Sequence, residues 1–391
     1  MDRSLLQSLN ILHIFNDGFQ ASFILLLPFI AQELGINLTQ VGILGSTLVA
    51  VQIILSIPAG LLAAKFNGFM VLVVAVLLYT SGFFGATIAP TYLWLLVSFL
   101  IAGVGLGVFH PIAFALVAKW SQKNTRGRQM GNFTAIGEIG RLGFTVFIVQ
   151  LVVFFGWRNT AFTYGCMGLL VFLFYWRIFS KRQEQIPIGE SEHPHTVIQL
   201  NLFQILSNAR FLLATLTGAL DSFASSSLFV FLPFFLLKRG VDASVLGVFS
   251  AFFLIGNLMG KYFLGRSVDR FGNAKIFIVA EILMALFILL LANSTSFTLI
   301  ILFSLVLGAL TKGTIPVYQT MVSDSIEHHG NYEKSFGISL FVISITTTLA
   351  PIVLGYISDV SGVITAFHAA SLFAVLAIVP AIGYIFAKPK N

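Results

Sequence analysis

Cysteine and charge are scarce in this chain, and common catalytic motifs are missing. It has 391 residues, of which one is cysteine and 9% are Asp, Glu, Lys or Arg, whereas a soluble domain carries roughly 25% charged residues. The lone Cys166 excludes an internal disulfide and a cysteine-based metal site. The sequence contains no nucleotide-binding loop, no His-Glu-x-x-His and no Gly-x-Ser-x-Gly. We therefore expect that the protein is not an enzyme and that it binds no metal and no cofactor.

Apolar residues are abundant instead and make up 57% of the chain. A bilayer suits this composition, because too few polar residues remain to cover a water-soluble globule. Each crossing needs about 20 mostly apolar residues, and helices satisfy their backbone groups within the segment. A window of about 19 residues predicts twelve spans, near 9–31, 41–64, 69–88, 92–117, 130–155, 159–180, 211–236, 244–264, 274–292, 296–322, 335–357 and 363–387.

A polar interval near the middle of the sequence divides the spans into six and six. The predicted fold is therefore an all-α integral membrane protein, with an N-terminal six-helix bundle over 1–180, a cytoplasmic linker over 181–210 and a C-terminal bundle over 211–391. The first nine residues lack the pattern of a cleaved signal peptide, so the first span is expected to stay in the protein.

The positive charges predict the orientation in the membrane. With both termini in the cytoplasm, only Arg158, Lys238 and Arg239 of the 22 Lys and Arg residues lie outside, and Arg141 and Lys312 lie within spans. All others face the cytoplasm, which is the positive-inside pattern of a multi-pass protein of the cell (inner) membrane. This pattern explains the net charge of +7 without a nucleic-acid partner.

The two halves are related by an internal repeat. At an offset of 205 residues, Pro28 coincides with Pro233, Gly35 with Gly240, Gly42 with Gly247, Gln52 with Asn257, Gly103 with Gly308 and Pro111 with Pro316. An even number of spans in each copy predicts parallel repeats, related by an axis along the membrane normal. We expect a cavity between the halves near the midplane, as in an alternating-access carrier.

One loop carries a family resemblance that extends over the whole chain. The segment Gly265-Arg-Ser-Val-Asp269-Arg270-Phe-Gly272-Asn-Ala-Lys275 resembles the signature loop of the major facilitator superfamily, and Gly156-Trp157-Arg158 is a further marker. The resemblance implies that Gly265, Asp269, Arg270 and Gly272 form a gating loop that favours one state of the carrier.

Within that superfamily, three short motifs resemble the fosmidomycin-resistance type of efflux protein. They are Phe15-Asn16-Asp17, Gly107-Val-Phe-His110-Pro111 and Arg126-Gly127. This resemblance implies export of a solute. Drug–proton antiporters of the superfamily have an arginine at the position of Phe99 and a Gly-Pro pair in span 5. This chain has neither of these features.

Six charged residues fall at bilayer depth, where each costs at least about 2.5 kcal/mol and normally faces a cavity or a partner. They are Asp17, Glu138, Arg141, Asp221, Glu281 and Lys312, and the titratable His110 joins them. At about 1.5 Å per residue, all of them except the peripheral Glu281 fall at a similar level. We expect them to line the central cavity, and we expect Glu281 to have a structural role.

Charge and spacing suggest a role for each of these residues, and for some of them an alternative role remains open. Asp17 and Glu138 are candidates for proton coupling, and Arg141 and Lys312 for attracting an anionic or polar group of the solute. Glu138 and Arg141, three residues apart, could instead form a neutral structural pair. Lys312 needs a partner from another span, for which Asp221 is the first candidate.

For other polar residues within the spans, the sequence gives weaker evidence of a functional role. His110 could accept a proton or satisfy a backbone carbonyl freed by Pro111. Asn16 occupies the repeat position of Asp221, which adds it to the candidate coupling and binding residues. The possible polar contacts in the cavity are Gln20, Gln52, Asn257, Tyr318 and Gln319.

The resulting hypothesis is a secondary transporter that exports a small organic solute in exchange for protons. Its partners would be that small molecule, protons and the lipid bilayer, and we expect a monomer. A symporter of the same superfamily that takes up a nutrient such as an organic acid is the main alternative. A channel is a second alternative, which saturable flux and counterflow would exclude.

Overall fold

The computed structural model describes residues 3–120, 126–179, 206–326 and 332–387. Within these ranges every regular element is helical, and none is a strand. The all-α fold predicted from the sequence is confirmed. Most of the predicted linker, residues 181–205, lies outside the described residues.

Twelve α-helices follow one another in the described chain. Their bounds are α1 Arg3–Leu34, α2 Leu38–Lys65, α3 Gly68–Thr87, α4 Tyr92–Trp120, α5 Arg126–Phe179, α6 Ala209–Ser225, α7 Leu228–Lys238, α8 Leu246–Phe271, α9 Asn273–Asn293, α10 Phe297–Ile326, α11 Tyr332–Ser361 and α12 Val363–Phe386. A short 3-10 helix, Ala243–Val245, precedes α8. Asn208 caps α6 because its side-chain oxygen accepts a hydrogen bond from Phe211 N at 3.2 Å.

Eleven segments of the described chain are long and apolar enough to cross a bilayer. One of them, Asn132–Phe179, has 48 residues, and its backbone turns at Gly156, where φ is 76°. A positive φ is readily adopted by glycine alone, so Gly156 ends one crossing and starts the next. The segment therefore supplies two of the twelve predicted spans. Conversely, α6 and α7 together supply one span, which is interrupted at Ser226 and Ser227.

Two compact units make up the chain. One comprises Met1–Ile36, Ile43–Pro194 and Ala243–Gly247, and the other Asn37–Gly42, His195–Asp242 and Val248–Asn391. In the N-terminal unit, α1 packs along α5, and α3 packs on α4 and α5. In the C-terminal unit, α6 packs against α10, α11 and α12, and α9 packs against α10 and α12.

The outer faces of the helices are apolar. Large side chains such as Phe154 and Phe386 are 75% and 80% exposed, and many Leu, Ile and Val side chains share this exposure. A water-soluble protein rarely exposes apolar surface on that scale. The acyl chains of a bilayer solvate such faces.

Backbone geometry repeats between the two halves. All residues with positive φ in the described chain are glycines. Gly35 (φ 63°) and Gly240 (φ 79°) stand 205 positions apart, the offset of the sequence repeat. Gly105 has a different function, since a methyl group at this position would overlap the carbonyl oxygen of Ala75. It therefore allows α3 and α4 to approach closely.

Candidate functional site

Asp17, in the middle of α1, is the centre of a charged cluster inside the N-terminal unit. Its Oδ1 atom lies 3.2 Å from His110 Nε2 on α4 and 3.4 Å from His13 Nε2 one turn earlier on α1. Its Oδ2 atom accepts a hydrogen bond from the guanidinium of Arg141 on α5 at 3.2 Å. Asn16 Nδ2 donates to Oδ1 at 3.1 Å. Nitrogen atoms therefore surround a carboxylate that is only 5% exposed.

Arg141 connects two acids of this cluster. Its second terminal nitrogen lies 3.6 Å from Glu138 Oε2, and Glu138 is 5% exposed. The predicted pairing of Glu138 with Arg141 is present, but the guanidinium also contacts Asp17. Two carboxylates and one guanidinium leave one negative charge, which a single proton on a histidine of the cluster would balance.

His13 is the functional candidate that the sequence analysis missed. Its ring is 2% exposed and stacks on Phe133, with 4.1 Å between the ring centroids. Nδ1 lies 3.0 Å from the backbone oxygen of Phe133. Nε2 consequently points at Asp17. The spacing of four residues between His13 and Asp17 is a signal that could have identified this contact.

Small residues on α5 make the cluster possible. A methyl group on Gly137 would lie 2.5 Å from His13 Nε2 and 2.9 Å from Asp17 Oδ2, and one on Gly140 would overlap the backbone of Ile14. Both glycines therefore let α5 approach α1 closely. Arg141, one residue beyond Gly140, can then contact Asp17.

The same atoms could serve as ligands of a metal ion. The ligand atoms of His13, Asp17 and His110 all lie within 4.8 Å of one another, and His13 has the carbonyl partner typical of a ligating histidine. However, Arg141 already neutralises the carboxylate that would attract a cation. A proton fits this electrostatic environment better than a divalent ion does.

The C-terminal unit contains a second polar group around Asp221 on α6. Asp221 is fully buried, and its Oδ1 atom accepts a hydrogen bond from Thr314 on α10 at 2.8 Å. Lys312, also on α10, is among the charges that act on Asp221, and the pairing of the two expected from the sequence stays a prediction. Tyr318 is 4% exposed, so it belongs to the interior of the unit.

Glu281 on α9 belongs to this second group. The sequence analysis placed it apart from the other charges, in a peripheral span. In the structure it is fully buried, and its carboxyl lies within hydrogen-bonding reach of Asp221. The rotation of α9 about its axis, which composition does not reveal, directs Glu281 toward α6.

The remaining predicted polar contacts are dispersed. Asn257 is 2% exposed and accepts a weak hydrogen bond from Thr311 at 3.5 Å, which is consistent with an interhelical role. The amide nitrogen of Gln52 is buried without a hydrogen-bond partner among the described residues. Gln20 and Gln319 are partly exposed.

The predicted gating loop lies at the junction of α8 and α9. Gly272 has φ 86° and precedes the first residue of α9, and Arg270 is exposed and lies over the ring of Phe271. Asn273 Nδ2 donates to Asp324 Oδ2 at the end of α10 at 2.6 Å. The side chains of Asp269 and of Arg126-Gly127 lie outside the described residues. A methyl group added at Gly265 would lie 3.8 Å from the ring of Pro316.

Comparisons with known proteins identify relatives over most of the chain. The multi-drug resistance efflux pump PmrA of Streptococcus pneumoniae is 24% identical over 370 residues, which cover 90% of this chain and 89% of PmrA. The sialic acid transporter NanX of Escherichia coli is 24% identical over 282 residues, which cover 70% of this chain and 66% of NanX.

Solved structures show the same fold. A bacterial homologue of the human lysosomal transporter Spinster, in an inward-facing and occupied conformation, superimposes with a TM-score of 0.80 at 15% identity, covering 98% of this chain and 97% of that one. The family model of the Major Facilitator Superfamily matches residues 9–256 and 214–391. The chain therefore belongs to the Major Facilitator Superfamily and is a multi-pass membrane transporter rather than an enzyme.

Proposed function

We propose that this protein is a proton-coupled carrier that exports a small organic solute by alternating access, and that it binds the coupled proton in the His13–Asp17–His110 cluster. The sequence analysis proposed coupling through Asp17 and Glu138. The geometry adds His13 to that proposal and brings His110, already a candidate, to 3.2 Å from Asp17. Glu138 then sets the charge of the cluster through Arg141.

The contact between His13 and Asp17 carries the proposal. A carbonyl oxygen can only accept a hydrogen bond, so Nδ1 of His13 must carry a hydrogen to bond with Phe133 O. In a neutral ring, Nε2 then has only a lone pair, which would face Asp17 Oδ1 at 3.4 Å. A second proton on the ring turns this unfavourable contact into a charge-assisted hydrogen bond.

His110 offers a route for the proton. Its side chain is 31% exposed, whereas that of His13 is 2% exposed, and both rings contact the same oxygen of Asp17. Histidine exchanges protons near neutral pH. We infer that His110 exchanges protons with water, while Asp17 and His13 hold the proton in the interior.

Two positively charged side chains within the spans support the proposal that the solute is anionic or polar. Arg141 and Lys312 are cations at bilayer depth, a position that is costly without a functional or structural partner. Protonation of the cluster would weaken the hold of Asp17 on Arg141, which leaves the guanidinium available to an anionic group. Proton and solute binding would then be linked through one side chain.

The direction of transport rests on two resemblances. PmrA, an efflux pump by its name, aligns with 90% of this chain, and the motifs Phe15-Asn16-Asp17 and Gly107-Val-Phe-His110-Pro111 resemble the fosmidomycin-resistance type. Both resemblances favour export. The proposed carrier also has its termini in the cytoplasm of the cell, as the positions of Lys and Arg predict, and works as a monomer.

Proteoliposomes with an internal pH-sensitive dye test the coupling. A melting-temperature screen of small organic anions first identifies a solute, because a ligand that binds the folded protein stabilises it. We expect a gradient of that solute to move protons in the opposite direction through the wild type. We expect Asp17→Asn and His13→Gln proteins to exchange labelled solute without moving protons.

Glu33→Gln is the control, since it removes a carboxylate outside this cluster, where Glu33 accepts hydrogen bonds from Trp157 and Arg158. Unchanged proton movement in Asp17→Asn would contradict the proposal. Solute accumulation in inverted vesicles but not in right-side-out vesicles would support export.

Uptake of an organic acid is the second candidate. NanX, a sialic acid transporter by its name, is 24% identical to this chain, and Arg141 would suit a carboxylate. Protons and solute moving in the same direction in the dye experiment would favour uptake over export.

A further inference from the structure

The second polar group contains more acid than base, and this imbalance has a chemical consequence. Asp221 on α6 and Glu281 on α9 are both 0% exposed, and their carboxyls are within hydrogen-bonding reach of each other. Two carboxylates in contact in an apolar interior repel each other strongly. Such a pair binds a proton rather than carry two negative charges.

The hydrogen-bond partners differ between the two acids. Asp221 accepts from Thr314 at 2.8 Å and is attracted by Lys312. Both oxygens of Glu281, and Asp221 Oδ2, are buried without a donor among the described residues. Because buried polar atoms are nearly always hydrogen-bonded, the missing donor is best supplied by a hydrogen on one of the carboxyls themselves.

We propose that Asp221 and Glu281 form a proton-binding site within the C-terminal unit, in which Glu281 carries the proton and donates it to Oδ2 of Asp221. The charge stays on Asp221, where Thr314 and Lys312 stabilise it. One added hydrogen bond then accounts for the donor that Asp221 Oδ2 lacks. This site is separate from the His13–Asp17–His110 cluster and does not depend on the coupling proposed there.

The helices around the pair bring few other ionisable groups to it. From α10, Lys312 and Tyr318 interact electrostatically with Asp221. Tyr384 of α12 is buried but hydrogen-bonds to the backbone of Met321. Three ionisable side chains of α11 and α12 are exposed and therefore do not share the buried interior: Tyr356, Asp359 and His368. The side chains of Glu333 and Lys334, in the first turn of α11, are not among those that the structure describes.

Infrared spectroscopy of the purified full-length protein detects the bound proton directly. A protonated carboxyl gives a C=O band that shifts in D₂O, whereas a carboxylate gives none in that region. At neutral pH we expect this band in the wild type and its loss in Glu281→Gln. We expect it to persist in Asp17→Asn, the control for the N-terminal cluster. An undiminished band in Glu281→Gln would overturn the proposal.

A second variant keeps the test decisive if Glu281→Gln does not fold. In Asp221→Asn, the Glu281 hydroxyl would donate to an amide oxygen instead of a carboxylate. The band should therefore persist at a shifted position, and an unshifted or absent band would count against the pair.

Thermal unfolding gives an independent readout. A proton held only in the folded state makes stability fall as pH rises. The melting temperature of the wild type should therefore fall from mildly acidic to alkaline buffer, and that of Glu281→Gln should fall less. An equal fall in both proteins would contradict a proton bound at this site.

Discussion

The two units bury a carboxylate on their first helix but surround it differently. Asp17 on α1 is contacted by Arg141 and two histidines, whereas the nearest ionisable partners of Asp221 on α6 include the acid Glu281. In the first cluster, nitrogen atoms compensate the charge of the carboxylate. In the second, Thr314 and Lys312 stabilise the charge on Asp221, and the proposed proton neutralises Glu281. Halves related by a sequence repeat have thus reached two solutions to the cost of buried charge.

This difference assigns different tasks to the two clusters. The N-terminal cluster has a partly exposed histidine, His110, and a cation that can change partners. The C-terminal pair is fully buried, and its proposed proton lies between the two carboxyls. We expect the first cluster to respond to solute and pH during transport, and the second to respond chiefly to pH.

Removing Arg141 should have the largest effect on stability. Arg141→Met leaves Asp17 and Glu138 without their shared guanidinium, and breaking a buried ion pair by removing one partner typically costs about 3–5 kcal/mol. We expect a large loss of thermal stability, partly restored by Asp17→Asn in the same protein. Arg270→Met, at an exposed arginine, should change the free energy of unfolding by less than about 0.5 kcal/mol. Equal effects of the two single substitutions would contradict the cluster.

A methyl group at Gly137 should break the N-terminal cluster without removing a charge. In Gly137→Ala, the new methyl would lie 2.5 Å from His13 Nε2, and overpacking of this kind costs about 1–3 kcal/mol. The matched control is Gly143→Ala on the same helix, where nothing lies within 4 Å of the added methyl. Melting temperature should fall for the first and be unchanged or rise for the second. A similar change in both would mean that α5 does not press against His13.

Thr314 provides the smallest and most local test of the C-terminal pair. Thr314→Val removes the hydroxyl that donates to Asp221 and should cost about 1–3 kcal/mol, because a buried acceptor loses its donor. Thr320→Val on the same helix is the control, since its hydroxyl donates to Val317 O within α10. Equal changes in unfolding temperature for the two variants would rule out a special role for Thr314.

Much of the fold and part of the site follow from the sequence. Apolar run length predicts the helices, and the 205-residue offset predicts the pairing of Gly35 with Gly240, which share positive φ. Asp17, Glu138 and Arg141 are found because charge within a span is conspicuous. Their arrangement around one guanidinium depends on the approach of α1 to α5, which Gly137 and Gly140 permit.

What the sequence analysis missed concerns neutral residues and helix rotation. His13 carries no formal charge in the sequence count, and its importance depends on the backbone oxygen of Phe133, 120 residues away. Glu281 was expected to have a structural role, such as pairing, in a peripheral span, and its partner Asp221 was not identified. Its interaction with Asp221 depends on which face of α9 is directed toward the interior of the unit, and a uniformly apolar helix gives no indication of that face.

Nitrogen-15 NMR of the histidine side chains tests the central claim most directly. The His13 signal is assigned by its absence from the His13→Gln protein and measured at neutral pH. The account predicts a ring with hydrogens on both nitrogens in the wild type and a neutral ring in Asp17→Asn. A neutral His13 ring in the wild type, with hydrogen on Nδ1 alone, would contradict a proton bound between His13 and Asp17.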